Sequence, residues 1–108
     1  MLVAMVMLAL AAPNPRNLDP PRRAYQTCLK AFEAASLAAK MEAVAYSNAV
    51  KGACAGEAAT LVKALTDFDV AMGSKRVAAA ATATSDVADY VLTSEERFSA
   101  TVSAGKAK

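Results

Sequence analysis

The stretch Tyr25–Glu57, YQTCLKAFEAASLAAKMEAVAYSNAVKGACAGE, holds both cysteines of the chain, Cys28 and Cys54, among residues that otherwise favour uninterrupted helix. In one straight helix, 26 residues would separate their Cα atoms by about 39 Å. A disulfide needs roughly 5.5 Å. A bonded pair therefore forces an antiparallel hairpin with its turn near the midpoint, around Met41. A turn at Ser47-Asn48, the more polar choice, would leave the cysteines offset by about 20 Å along the axes, and one at Gly52 is worse. The segment Ala39-Lys40-Met41-Glu42 has no Gly, Pro, Asn or Asp, so its own turn signal is weak. Covalent geometry outweighs it: closing such a loop stabilises by about 3–4 kcal/mol, against about 1 kcal/mol for a good helix cap. A second arrangement meets the same spacing, an antiparallel dimer in which Cys28 of one chain bonds Cys54 of the other.

Outward from this stretch, the 108 residues form one small domain with no room for a second core. More than a quarter are alanine, and there is no isoleucine, tryptophan or histidine. Alanine favours helix but buries little area, which predicts high helicity and a thin core. The 12 basic and 10 acidic residues are scattered, as on solvated helix surfaces. A nucleic-acid partner would need them clustered on one face.

Met1–Ala12, MLVAMVMLALAA, is an apolar run ending in small residues. It matches the apolar core and cleavage site of a secretory signal peptide, with Ala9-Leu10-Ala11 fitting the A-x-A pattern and cleavage expected after Ala11. No Lys or Arg precedes the run, so the terminal amine supplies its positive charge. The run is too short to span a bilayer, which takes about 20 apolar residues. The domain plan is thus a leader at 1–11, an extended proline-rich linker at 12–19, a helical domain at 20–103 and a frayed tail at 104–108. The expected location is periplasmic or extracellular, where two cysteines in a small chain read as a structural disulfide.

Asp19 and Pro20 suit the cap and first position of a helix. From there Tyr25, Cys28, Leu29, Phe32, Ala35/Ser36 and Ala39 share one helical face, with Lys30, Glu33 and Lys40 largely off it. A second series runs Tyr46, Val50, Cys54, Ala58, Leu61, Leu65, Phe68 and Met72. A third runs Val77, Ala80/Ala81, Thr84, Val87/Ala88, Val91, Glu95, Phe98 and Val102. No period-two alternation competes. The expected fold is all-α: a disulfide-stapled antiparallel helical hairpin plus a third helix, a three-helix bundle.

Gly73 fits the left-handed position after the second helix and Ser74 the cap of the third. Thr93 and Glu96 have capping-box spacing, which leaves two readings. Either the third helix ends there and a short fourth follows to about Val102, or it continues with these residues facing solvent. Gly52 and Gly56, four apart, share a helix face and would let another backbone approach. The alternative is a kink at 52–56, and the reading adopted is a continuous helix.

Chemistry is sparse. Without histidine a serine nucleophile lacks its usual base, and two thiols do not complete a zinc site. Asp67 and Asp69 cannot share a helix face. Asp86 and Asp89 can, yet they lack the loop ligands calcium requires. Glu57 falls near an inner face and has two readings, a buried carboxylate paired with Arg76 or Lys30 and a partly exposed boundary residue; the second is adopted, and the same for Glu95. The six aromatics sit at core spacing. These features predict no catalytic, cofactor-binding or metal-binding residue, and a disulfide between Cys28 and Cys54 as the one covalent feature. They point to a non-catalytic protein working by contact with a protein partner in the cell envelope, with a homodimer open and no nucleic acid or small-molecule substrate evident. The alternative is a membrane-surface or holdase-like chaperone using an alanine-rich amphipathic face.

The motifs Tyr25-x-x-Cys28-Leu29-x-x-Phe32, Ser36-Leu37, Met41, Cys54-x-x-Glu57, Asp69-x-Ala71-x-Gly73-x-x-Arg76, Asp89-Tyr90 and Glu96-x-Phe98 run through most of the mature chain. In these the chain resembles a group of small, exported, two-cysteine helical proteins of Gram-negative bacteria with no known function. That group often has proline just after the position of Met41, where this chain has Ala43-Val44. The resemblance brings no catalytic residues with it.

Overall fold

The computed structural model describes residues 13–106. The leader expected at 1–11 and the last two residues lie outside that range. A 3-10 turn, Pro15–Leu18, precedes four helices: α1 (Asp19–Ala38), α2 (Ala43–Ala53), α3 (Ala55–Ala71) and α4 (Arg76–Lys106). The described residues contain no strand. The architecture is an all-α bundle in which α2 and α3 follow one another as a bent rod between α1 and α4.

Cys28 and Cys54 are bonded within the one chain, with Cα atoms 6.1 Å apart. The α1–α2 turn falls where the cysteine spacing puts it. Its chemistry is a left-handed cap made without glycine: Lys40 takes φ 57°, its N–H donates to the Leu37 carbonyl, and the Met41 N–H donates to that of Ser36. These are the two bonds of a Schellman motif. A non-glycine residue there costs roughly 1 kcal/mol, small beside the staple. Gly73 repeats the motif at the end of α3, with φ 110° and with Gly73 and Ser74 amides donating to the Val70 and Asp69 carbonyls.

Several sequence expectations give way. The segment before α1 is not an extended linker: Asn14 Oδ1 accepts from the Arg16 amide, the chain makes a 3-10 turn, and Leu18 is buried. Helix α1 begins at Asp19 with Leu18 as its cap residue. Helix α4 begins at Arg76, one residue later than a Ser74 cap requires, and the Lys75 carbonyl takes its first helical bond from Ala79. It then runs 31 residues without interruption, so Thr93 starts no new helix and residues 104–106 stay helical.

The extra helix arises elsewhere. The second rod breaks at Cys54, whose φ −121° and ψ 41° are not helical, so residues 52–56 do not form the continuous helix expected of them. No other group comes within 4 Å of a Cβ built at Gly52 or Gly56, so neither glycine serves a close backbone approach. Each lowers helix propensity by up to about 1 kcal/mol beside the residue that must turn its sulfur to Cys28.

The third periodic series is only partly core. Val77, Thr84, Val91 and Phe98 are spaced by seven, and they pass from 85% exposed at Val77 through half-buried Val91 to fully buried Phe98. A heptad drifts by about 20° around a straight 3.6-residue helix, so one series begins on the flank of α4 and ends in its core. The true core stripe is Ala79, Ala83, Val87, Ser94 and Phe98. The first two series fare better: Tyr25, Leu29, Ser36, Tyr46, Val50, Cys54, Leu61 and Leu65 are all buried.

Candidate functional site

Two features of α4 bear on function, one sealed and one open. The sealed one is a polar cluster joining α1, α2 and α4. Glu33, read from the sequence as solvent-facing, is buried. Arg97 of α4 donates to it from Nε at 2.7 Å and from Nη2 at 2.6 Å. Ser94, completely buried, lies 3.2 Å from Glu33 Oε2 and 2.6 Å from the Tyr46 hydroxyl. An ionised carboxylate can only accept, so Ser94 donates to Glu33 and Tyr46 donates to Ser94. The Tyr46 ring is sandwiched between Phe98, at 3.9 Å and nearly parallel, and Phe32, at 5.5 Å.

The hydrogen bond from Arg97 holds the Glu33 carboxyl below its usual value, against the opposing effect of burial. Burial pushes the Tyr46 and Tyr25 phenols up. What this cluster does chemically is fix register: three helices must be aligned for its bonds to form together.

The open feature is a groove of about 570 Å³ along the α3–α4 seam. Ala58, Ala59 and Val62 form its α3 wall, and Thr84, Val87, Ala88, Val91, Leu92 and Glu95 its α4 wall, with Tyr25 and Lys51 closing it from α1 and α2. It exists because alanine and threonine stand where larger residues would fill the seam. Leu92 is 53% exposed on its edge. Glu95 is half-buried, as expected of a boundary residue, but its Oε1 is buried and has no hydrogen-bond partner among the described residues.

The opposite flank of α4 is polar. There Asp86 and Asp89 line a smaller cleft of about 380 Å³ together with Lys30 and Arg97. Asp67 bonds Lys63 at 2.7 Å and Arg76 at 3.1 Å, and the Lys63 bond is the larger cause of its lowered carboxyl value. Arg76 is thereby engaged with Asp67, and Glu57 stays a half-buried boundary residue. No group of three or more Cys, Asp or Glu among the described residues is placed to hold a metal ion. No described helix is long and apolar enough to cross a membrane.

Of the residues singled out from sequence, the structure brings Cys28 and Cys54 together and leaves Asp86 and Asp89 on the surface. Sequence reasoning missed Glu33, Ser94 and Arg97 as a cluster, and it assigned the groove residues Thr84, Ala88 and Val91 to the core. The signal for the latter was present in the small size of Thr84 and Ala88 and in the seven-residue spacing of Thr84 and Val91. Comparison with protein families, curated proteins and solved structures finds no match.

Proposed function

We propose that this is an exported, non-catalytic helical protein of the cell envelope that works by contact with another polypeptide through the α3–α4 groove. The observation that carries the reading is the groove: an apolar, alanine-walled channel open along its length, whose single acidic group has an unmet hydrogen-bond acceptor. Such a channel suits one face of an apolar helix, which supplies side chains at three- and four-residue spacing. Export rests on the leader pattern and accords with the disulfide. The group of exported two-cysteine proteins that the chain resembles points the same way.

The test is site-specific photo-crosslinking in the producing cell. A probe at Leu92, in the groove, is expected to give a discrete adduct with a polypeptide, while a probe at Thr82, on the polar flank of α4, gives none. The N-terminus of the exported protein should begin at Ala12. Equal labelling from both positions, or labelling of lipid alone, overturns the reading, and lipid labelling would favour a membrane-surface role.

A further inference from the structure

One cause accounts for the break at Cys54. On a single unbroken helix, Tyr46, Val50, Leu61 and Leu65 would fall within about 100° of one another. A straight rod would therefore bury the same residues that α2 and α3 bury now. All four prolines of the chain lie before Arg22, so none interrupts residues 43–71. Gly52 and Gly56 meet no neighbour, and the Cys54 side chain makes no cap hydrogen bond to α3. What remains is the bond to Cys28. The two glycines make the helix easy to break at this one place and leave it able to form.

The groove is built around that bond. Tyr25, its α1 edge, stands three residues before Cys28. Lys51, its α2 edge, stands three before Cys54, and Ala58, the start of its α3 wall, four after. Each is within about one turn of a bonded cysteine, and the break falls between the α2 and α3 parts of the wall.

We infer that disulfide formation shapes the groove. With free thiols, residues 43–71 run as one helix; closing the Cys28–Cys54 bond bends that helix at Cys54 and sets Lys51 against the Ala58–Val62 wall. The functional importance of this rests on the groove being a contact surface, as proposed above. The chain is made with two thiols, and an exported protein meets oxidation outside the cytoplasm, so the groove takes its shape on export. The oxidant is the disulfide of a thiol-exchange protein. Cys28, the more exposed of the two cysteines, attacks one sulfur of that disulfide as a thiolate, and the oxidant's other sulfur leaves. The Cys54 thiolate then attacks the Cys28 sulfur and expels the sulfur still attached to it. Two electrons pass to the oxidant, whose two sulfurs end as thiols with the two protons the cysteines gave up.

Amide hydrogen exchange, read by NMR on the oxidised chain and on the same chain in dithiothreitol, tests this. In the disulfide form the Ala55, Gly56 and Glu57 amides precede the first bond of α3, from Ala58 to the Cys54 carbonyl, and exchange fast. In the dithiol form they gain the Lys51, Gly52 and Ala53 carbonyls. They should then exchange about fivefold to tenfold more slowly, the effect of one helical hydrogen bond, while α4 amides exchange faster as the staple is lost. Gly52→Ala/Gly56→Ala should enlarge the slowing. The Val62 and Val91 methyl resonances should move on reduction, and those of Leu18, outside the groove, should not. Exchange at Ala55–Glu57 that is unchanged or faster on reduction overturns the inference, as does a reduced chain without helical circular dichroism. The Leu92 adduct is read separately in the producing cell. An adduct that falls at least tenfold in Cys28→Ser/Cys54→Ser supports the inference, and one of equal strength in both overturns it. No adduct from the parent chain removes the groove reading, and the exchange result alone then decides the bend.

Discussion

Replacing Arg97 by alanine should cost more stability than alanine replacement of any other exposed residue in this protein. The Glu33 side chain is 11% exposed and accepts three bonds, two from Arg97 at 2.6 and 2.7 Å and one from Ser94 at 3.2 Å. Without Arg97, the carboxylate keeps only the weakest of them. Breaking a fully buried ion pair from one side costs about 3–5 kcal/mol. Arg97 is itself 46% exposed, so water replaces part of what is lost and the expected cost is about 2–3 kcal/mol. Urea denaturation followed by far-UV circular dichroism at pH 7 measures it directly. Glu33→Gln, which keeps the shape, and the Glu33→Gln/Arg97→Ala double variant complete a cycle. The double variant should cost clearly less than the sum of the two singles.

The pH dependence gives a second, independent reading. The folded-state carboxyl of Glu33 lies below its unfolded value because Arg97 bonds the charged form. Its contribution is therefore fully present above the unfolded value of about 4.3 and is lost as pH falls through the lower folded value. In Arg97→Ala the chief cause of that lowering is gone, and burial then favours the neutral acid. The difference in stability between parent and variant should shrink as pH falls from 6 towards 3. A variant that loses less than about 1 kcal/mol, or one whose pH profile runs parallel to the parent's, would refute the view that this pair locks α1 to α4.

Other expectations follow from the same geometry. Cys28→Ala/Cys54→Ala should lose about 3.5 kcal/mol, the chain-entropy value for a separation of 26 residues. Urea unfolding of the disulfide-free variant measures that loss, and a loss below about 1 kcal/mol would remove the staple from its organising role. Gly52→Ala and Gly56→Ala should each be neutral or stabilising by up to about 1 kcal/mol, since both sites are open. Gly73→Ala, at φ 110°, should instead destabilise by about 1 kcal/mol or more; thermal melts of the three variants order them. Val77 and Phe98 belong to one heptad series but not to one environment. Phe98→Ala should cost about 3–5 kcal/mol and Val77→Ala less than about 0.5 kcal/mol in the same denaturation assay.

What was legible in the residues divides along physical lines. Helical period and alanine content specify an all-α chain, because backbone propensity and side-chain spacing are local properties. The two cysteines specify a hairpin and the place of its turn, because a bond of fixed length leaves one solution along the axis once it closes within a chain. Gly73 marks the end of α3, because few residues adopt its backbone conformation without strain. Lys40 carries no such mark, and only the staple and the packing of α1 on α2 explain a lysine at φ 57°.

The tertiary structure decided the remainder, and each time the deciding partner is distant in the chain. Glu33 is buried because Arg97 and Ser94 meet it from 64 and 61 residues away, and no local pattern distinguishes it from a solvated glutamate. The bend falls at Cys54 because its sulfur must reach Cys28 on another helix. Capping-box spacing at Thr93 yields to a continuous α4, because Ser94 is needed in the core beside Tyr46. The residues of Tyr25–Glu57 determined the hairpin. Which flank of α4 faces that hairpin and which stays open as the groove depended on the drift of a seven-residue series around a 3.6-residue helix.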